Sequence, residues 1–599
     1  MELNVNRPAS AQKFPWSEVL FGMIVLTTAL LISQPASAQQ APQFTTGNLV
    51  VSVEGCGVYA GTCTAVPNGT GTGTGNSSST GYGDNQAAPL TLFQFAPSGT
   101  AAATFVNSLV LPQNPLGANF PVSGEYGSSS EASLQLSGSG QYLTIMGYGV
   151  NAAAFNANPT LFGAAPSLAL GQSGSLTGQT YTPVPRVVAL IDSNGTVNSS
   201  TAIYNIFNTN NPRSIFTTGG TTAYVSGQGA GSDATAGVFF TPIGAINAAP
   251  TPITGLDTTN NTFSQDTRDV QIVNNTLYIS VDTKGGSNAA RSYIGTLGTA
   301  GNIPTTTVGP PVMLNNFGTT AQNGKVTITA APNSNGNGLN AGLQINVSPN
   351  GYFFASPSIL YVADTGNGKQ TSANSSLGDG GLQKWINTAA DGSGTWNLAY
   401  TLYQGLNLVS NKSASGTTGL YALTGTVSAG SVLLYATDST IGDLDPSHLY
   451  GITDTLAFTT PSEAAAETFT QLAAAPLDSN FKGVSFTPTV STPIPPATPA
   501  NLVVTKALSR TGGNVVVQIT ISNTGGTAAA NVVLNTVKVG SATATPLPQN
   551  LGAIAAGSSA VATISVPASV GNPGAASSLT ISGTYSGATF SSSARISLP

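Results

Sequence analysis

The chain has 599 residues, of which 40% are hydrophobic and only 6% charged, with 70 glycines, 16 Lys+Arg, 22 Asp+Glu and a formal net charge of −6. That length exceeds one ordinary core and points to two or three domains or one large repeat array. The missing basic cluster argues against nucleic acid as a partner, because phosphate binding needs clustered Lys and Arg. The many Val, Ile, Leu, Tyr and Phe runs argue against disorder.

Arg7 and Lys13 precede the apolar stretch "VLFGMIVLTTALLI", Val19 to Ile32, which is followed by "SQPASA" with small residues at Ala36 and Ala38. This layout predicts a secretory signal peptide over 1–38, cleaved after Ala38. The apolar run is shorter than the ~20 residues that span a bilayer as a helix, which weighs against an uncleaved anchor. No second stretch is long enough, so no membrane span is expected after cleavage, and the mature chain is placed outside the cell, at its surface or in the periplasm. The two cysteines, Cys56 and Cys63 in "CGVYAGTC", fit a small disulfide-closed loop in an oxidising compartment. A metal site is the rival there, poorly equipped with two thiols and no nearby histidine.

Beyond the signal, short β-branched and aromatic runs alternate with Gly, Asn, Asp, Ser and Pro, the texture of an all-β chain. "PSEAAAETFTQLAAA" (461–475) is the one helix candidate, readable as a single helix or as a turn in a loop. The runs recur as pairs: "SLQLSGSGQYLTIMGYG" (133–149), "SIFTTGGTTAYVSGQG" (214–229), "DVQIVNNTLYISVDTKGG" (269–286), "LQINVSPNGYFFASPSILYVADTGNG" (343–368) and "GLYALTGTVSAGSVLLYATDS" (419–439). Each reads as strand, tight turn, stronger strand, polar break, with Gly-Ser-Gly, Gly-Gly, Asn-Asn or Asn-Gly supplying the positive φ of a hairpin. A further strand follows each pair: "RVVALIDSNG", "GVFFTPIG", "RSYIGTLG", "GGLQKWIN" and "SHLYGITD". Multi-strand repeats of this kind predict a β-propeller.

The two ends of the array look complementary. "FKGVSFTP" (481–488) has no partner after it, and "NLVVSVEG" (48–55) has none before it. Pairing them makes one more blade and removes the open edges of the ring. Six blades are counted this way, with room for a seventh in 150–210. "PNGTGTGTGNSSSTGYGD" (67–84) reads as a flexible insertion. "ILYVADTGNG…GGLQKW" (359–385), with the weaker "TLYISVDTKGG", resembles the blades of NHL and YVTN-type propellers, which implies a propeller over 48–488.

Five prolines in "TPTVSTPIPPATPA" mark a semi-rigid linker, 489–500. Val515, Val517, Ile519 and Ile521 then alternate with Val516, Gln518, Thr520 and Ser522, a half-buried strand. About seven such strands over 501–599 suggest an immunoglobulin-like β-sandwich without its disulfide. "VQITISNTGGTAAANVVL" resembles CARDB-like and conserved-repeat surface domains of bacteria, implying a spacer or adhesion module.

Asp364 begins an Asp-Thr-Gly, the tripeptide of aspartic proteases, but such an enzyme needs two carboxylates sharing a proton and a second motif is missing. Asp282, Asp364 and Asp438 each follow the strong strand of a repeat, and Asp192 in "IDSNG" is a looser echo, so a turn-shaping role is expected. Oxygen ligands for a weak Ca²⁺ site are offered by Asp438, Asp443 and Asp445 and by Asp364, Asn367 and Asp379, without the spacing of an EF-hand. His448, the only histidine, reads as a strand-end residue; one imidazole does not build the multi-histidine centre of a zinc enzyme. Trp385 and Trp396 read as core, with a carbohydrate platform as the rival. The sequence thus suggests an exported, non-enzymatic binding, adhesion or display protein that meets an extracellular protein or carbohydrate. A propeller-class enzyme, lactonase-like or a glycan lyase or hydrolase, is the alternative.

Overall fold

A computed structural model describes residues 44–599 except 62, 64–65, 100, 166, 231–232, 257–265, 283–291, 318–324, 328–343, 367–379, 410–412, 490–498, 556 and 587. The expected signal peptide, most of the proline-rich linker, Asn367 and Asp379 lie outside the described residues. Among those residues no helix is long and apolar enough to cross a membrane.

The chain is all-β. It begins with β1 (Leu49–Gly55), β2 (Ala87–Ser98) and β3 (Ala101–Val110), then β4 (Ser123–Glu125), β5 (Gln135–Leu136) and β6 (Leu143–Tyr148). A short helix, α1 (Ala152–Ala157), precedes β7 (Arg186–Ile191) and β8 (Val197–Ile203). There follow β9 (Pro212–Phe216), β10 (Thr222–Gly227), β11 (Gly237–Pro242), β12 (Ile246–Asn247), β13 (Thr251–Pro252), β14 (Thr267–Val273), β15 (Thr276–Asp282), β16 (Ser292–Leu297) and β17 (Val312–Met313). Next come a two-stranded pair, β18 (Lys325–Thr327) and β19 (Gln344–Asn346), then β20 (Pro349–Ser356), β21 (Ile359–Asp364), β22 (Gly381–Asn387) and β23 (Trp396–Leu402). The array ends with β24 (Thr417–Ser428), β25 (Ser431–Thr440), β26 (His448–Thr455), β27 (Thr470–Ala474) and β28 (Ser479–Phe486).

Four sheets are simple antiparallel runs of four: β9-β10-β11-β13, β14 to β17, β20 to β23 and β24 to β27. The remaining strands of the array, β18 and β19 apart, form one ten-stranded sheet with two halves, β28-β1-β2-β3 and β5-β6-β7-β8, bridged by β4 between β2 and β6 and extended by β12 parallel to β8. The two ends of the array therefore meet: β1 pairs antiparallel with β28, from Leu49 opposite Phe486 to Gly55 opposite Ser479. This is the pairing expected of the two partnerless runs. The first strands of successive sheets neighbour one another in a closed cycle, β5, β9, β14, β20, β24, β28 and back to β5.

Apolar faces explain the cycle. β1, β6 and β7 are buried at every position, as strands are when their sheet is covered on both faces. Val238 of β11, Leu277 of β15 and Leu360 of β21 share one core, and Leu382 of β22 shares the next with Leu434 of β25. Leu449 of β26 packs with Val51 and Phe481 across the seam, and Val50 packs with Ile145 of β6. Val188 of β7 with Val225 of β10 completes the circuit.

A belt of hydrogen bonds runs through the same contacts. Gln135 donates to Ser214 Oγ and Asp269 Oδ1, both at 2.5 Å, and Gln271 donates to the Tyr352 carbonyl at 3.0 Å. Asn350 donates to the Tyr421 carbonyl at 2.8 Å, the Thr437 hydroxyl to the Lys482 carbonyl, and Ser52 to the Ala132 carbonyl at 2.6 Å. Every sheet is thus tied to the next by a polar side chain as well as by apolar burial.

Two local expectations change, and the open choice between helix and turn at 461–475 is decided for the turn. Asn350-Gly351 is not a turn; it lies inside β20 at a register shift, and the hairpin turns at Pro357-Ser358 instead. Residues 461–466 form turns and 470–474 is β27, because the stretch completes a sheet instead of burying a helical face. The Gly- and Ser-rich run 67–84 is anchored: Asn76 N–H donates to the Leu444 carbonyl at 2.6 Å, Ser78 N–H to Asp478 Oδ1 at 2.7 Å, and the Tyr126 hydroxyl to the Asn76 carbonyl at 2.7 Å.

The last hundred residues hold β29 (Leu502–Thr511), β30 (Asn514–Asn523), β31 (Ala529–Val539), β32 (Ala542–Thr543), β33 (Gln549–Ile554), β34 (Ser559–Val566), β35 (Ala576–Tyr585) and β36 (Ala588–Ser597). They form a three-stranded and a five-stranded sheet that share one core, Val515, Val517, Ile519 and Ile521 of β30 with Leu534, Leu579 and Ile581. The alternating burial of β30 is the period-two pattern of a sheet with one solvated face.

If the β1–β28 seam holds the array together, a chain ending at residue 489 should unfold in one cooperative transition, whereas one ending at 478, which lacks β28, should lose that cooperativity. Equal melting temperatures for the array in the two would contradict it.

Candidate functional site

Acidic residues recur at one place in the sheets. Asp282 and Asp364 end the second strands of their sheets, and Asp438 stands near the end of β25. Glu54, next to last in β1, is a fourth member that the sequence reading missed, although "SVEG" parallels "SVDTKG". Each is at least nine-tenths buried. Asp364 accepts from Ser348 N–H at 3.0 Å, Gly366 N–H at 2.8 Å and Gln383 Nε2 at 2.9 Å. Asp282 accepts from the hydroxyls of Ser292 and Ser348 at 3.0 and 2.9 Å and pairs with Arg268 at 3.2 Å. These carboxylates hold the chain where it leaves one strand and enters another, which is the turn-shaping role expected of Asp364. Asp192 does a similar local job, accepting from the Asn194 and Thr196 N–H groups at 2.9 and 2.8 Å.

Asp438 is occupied by His448: the His448 N–H donates to Oδ1 at 2.6 Å, and the ring Nδ1 lies 2.9 Å from Oδ2, which also accepts from Thr417 at 2.8 Å. Burial opposes charge on the imidazole, but the hydrogen bond and charge of Asp438 outweigh it and leave His448 above its ordinary pKa. Asp438, Asp443 and Asp445 line one cavity, so the structure brings the calcium candidates together. Asp445 Oδ2 already accepts from the Gly416 and Gly442 N–H groups at 3.0 and 2.9 Å. Among the described residues, no group of three or more His, Cys, Asp and Glu is disposed to hold a metal ion. Cys56 and Cys63 are bonded to each other. Trp385 and Trp396 are buried, and Trp385 stacks on Phe317 with ring centres 4.0 Å apart, so both belong to the core and form no platform.

The same cavity is walled by Asn480 and Lys482 of the seam strand. Asn480 is 2% exposed, and neither its Nδ2 nor its Oδ1 has a hydrogen-bond partner among the described residues. Lys482 lies 3.6 Å from Glu54 and donates to the Ser128 carbonyl. Glu54 adjoins two further buried acids. Glu131 accepts from the Tyr148 hydroxyl, Asn211 Nδ2 and the Glu125 N–H, and Glu125 from the Gly171 N–H. Burial, before any other cause, pushes all three glutamates above the ordinary carboxylate range.

A second buried polar group joins two sheets. Lys384 of β22, fully buried, pairs with Asp454 of β26 at 2.8 Å and donates to the Tyr400 hydroxyl and to the carbonyls of Thr455 and Phe458, each at 2.9 Å. Tyr361 and Tyr400 both donate to Asp454. Glu467 beside it is pushed up to about 8 by burial, with Asp454 adding to the rise.

No family model matches the chain, and no curated protein matches it.

Two predictions follow from these groups. Lys384→Met should destabilise the array by about 3–5 kcal/mol, the cost of leaving Asp454 buried without its cation; a urea midpoint equal to that of the parent would contradict it. Glu467 binds its proton more tightly folded than unfolded, as does Asp269, which burial pushes up to about 6. Their stabilisation is complete below the ordinary carboxylate range and is lost as pH rises through about 6 for Asp269 and about 8 for Glu467. Urea unfolding should therefore show stability falling from pH 4.5 to 8.5, and Glu467→Gln should flatten the upper part of that decline.

Proposed function

We infer that the chain is an exported binding or display protein: a six-bladed β-propeller over 48–488 with NHL- or YVTN-like blades, then an immunoglobulin-like spacer over 501–599. The observation that carries the reading is the closed cycle of first strands, sealed by β1 against β28. In such a ring the second strands run in one sense, so the segments that follow them, 56–86, 149–185 and 441–447 among them, share one face. A rigid ring that presents loops at one face suits recognition. The Cys56–Cys63 bond, in one of those segments, supports an oxidising compartment.

The catalytic alternative has less support. His448 and the strand-end aspartates are engaged in holding the backbone, and Glu54, Glu125 and Glu131 are 0, 6 and 2% exposed, sealed from any substrate. A Ca²⁺ ion at Asp438, Asp443 and Asp445 would displace hydrogen bonds that already hold Asp438 and Asp445 in place.

The test uses the purified chain from residue 39 onward, fluorescently labelled, on stripped envelope of the producing cell. Saturable binding with no turnover of lactone or glycan substrates is expected. Hydrolysis or lyase products, or no saturable binding, would overturn the reading. Asp364→Asn should leave binding intact and cost about 1 kcal/mol in stability, because the amide oxygen can still accept from the Ser348 N–H and Gln383 Nε2 while only the Gly366 N–H loses its acceptor. Asp364→Leu should cost roughly 3 kcal/mol, because all three donors lose their partner. Equal costs for the two variants would remove the turn-shaping role.

A further inference from the structure

We propose that Lys384 and Asp454 condense to an intramolecular amide, a covalent staple between β22 and β26, with Glu467 as the acid that completes the reaction.

The reacting groups are already in contact. Lys384 Nζ lies 2.8 Å from Asp454 Oδ2, and both side chains are 0% exposed. The two residues are 70 positions apart, on the third strands of neighbouring sheets. Tyr361, Lys384 and Tyr400 stand opposite one another on β21, β22 and β23, so strand register brings both phenols to the amine. Nζ lies 5.7 and 5.2 Å from their ring centres. The carbonyls of Thr455 and Phe458, each 2.9 Å from Nζ, fix the nitrogen in place.

Both oxygens of Asp454 are polarised. The Tyr400 hydroxyl donates to Oδ1 at 2.6 Å and the Tyr361 hydroxyl to Oδ2. Such donors draw electron density from Cγ and hold the oxyanion that forms when nitrogen adds to it. Glu467 supplies the proton. Its Oε1 accepts from the Thr455 N–H at 2.9 Å, whereas its Oε2 is buried and has no donor among the described residues. Its carboxyl hydrogen-bonds to Asp454, and two carboxyl groups bond each other only through a proton that one of them holds. Burial first, and that hydrogen bond second, push Glu467 up to about 8, so it carries the proton at neutral pH.

The atoms balance. Lys384 passes one proton to the Asp454 carboxylate, which leaves an amine beside a carboxylic acid. The Nζ lone pair adds to Cγ, the C–N bond forms, and the C=O electron pair moves to oxygen, where a tyrosine hydroxyl holds it. Glu467 gives its proton to the hydroxyl on Cγ; that C–O bond breaks, water leaves and the C=O bond re-forms. The Glu467 carboxylate then takes a proton from nitrogen. The net change is one ammonium and one carboxylate to one amide and one water, with no change of oxidation state.

Two features favour the amide over the ion pair. A neutral amide removes two buried charges and their desolvation cost, and fixed contact between the reacting groups replaces a bimolecular encounter. Leu382, Ile452 and Phe469 share the surrounding core with the two tyrosines, which keeps water from hydrolysing the product. Lys482 makes the contrast: it lies 3.6 Å from Glu54, and neither oxygen of Glu54 receives a hydrogen bond among the described residues, so that pair is not activated.

The test is mass spectrometry of the chain from residue 39 onward, reduced and denatured. The expected mass is that of the sequence less one water, and digestion should release a branched peptide that joins the segments holding Lys384 and Asp454. Lys384→Met should show the full mass of its sequence and no branched peptide. Glu467→Gln, checked for folding by circular dichroism, keeps an acceptor for the Thr455 N–H but has no acidic proton. It should form the link about a hundredfold more slowly, the usual loss when a general acid is removed, and so emerge largely unlinked from a short expression. A parent at the full sequence mass, with the 384 and 454 peptides released separately, overturns the proposal, as does a water loss located elsewhere in the chain. Linkage as fast in folded Glu467→Gln as in the parent overturns the role of Glu467. If that variant does not fold, the mass and branched peptide of the parent decide.

Discussion

The pairing of β1 with β28 is the constraint on which the array depends. It joins residues more than four hundred positions apart, so its cost is the closure of the whole loop, and that cost grows only slowly with length. In return both ends of the array gain a strand partner. The close approach is visible at Gly483, where a Cβ would fall 2.1 Å from the Leu134 nitrogen. Any side chain at that position would push β28 away from the segment leading into β5.

A chain with so few charges spends them inside. Arg213, Asp266, Arg268 and Asp282 form a linked set of ion pairs near the starts of β9 and β14, with contacts of 2.9 to 3.2 Å. Arg186, fully buried, donates to the carbonyls of Ser173, Val184, Phe207 and Asn210 and lies over the Tyr148 ring, so it ties the long connection between β6 and β7 to the one between β8 and β9. Solubility is left to Ser, Thr and Asn at the surface. Because buried charges are stabilising only when their partners are all in place, these groups fix how sheets meet more than they add to stability.

The strand content was legible because it rests on local chemistry: alternating apolar residues, and turn dipeptides such as Asn274-Asn275, where both φ values are positive, 47° and 57°. The seam was legible for a different reason, since two apolar runs without neighbours imply each other. What misled was composition without context. The 67–84 run has the residues of a flexible linker, but its backbone and small polar side chains are used up in bonds to Leu444, Pro476 and Asp478, contacts that no local window contains. The same holds for the candidate site. The aspartates at 438–445 were visible as a cluster, whereas Asn480 and Lys482 join them only because the seam brings β28 beside β24 and β25.

The closure is tested most directly by native-state hydrogen exchange of the full mature chain, followed at the seam amides. If the seam closes the array, the hydrogen-bonded amides of β1 and β28 exchange only with global unfolding, at the same free energy as those of β21 and β22. Exchange of β1 and β28 at a distinctly lower free energy, with β21 and β22 still protected, would contradict the account.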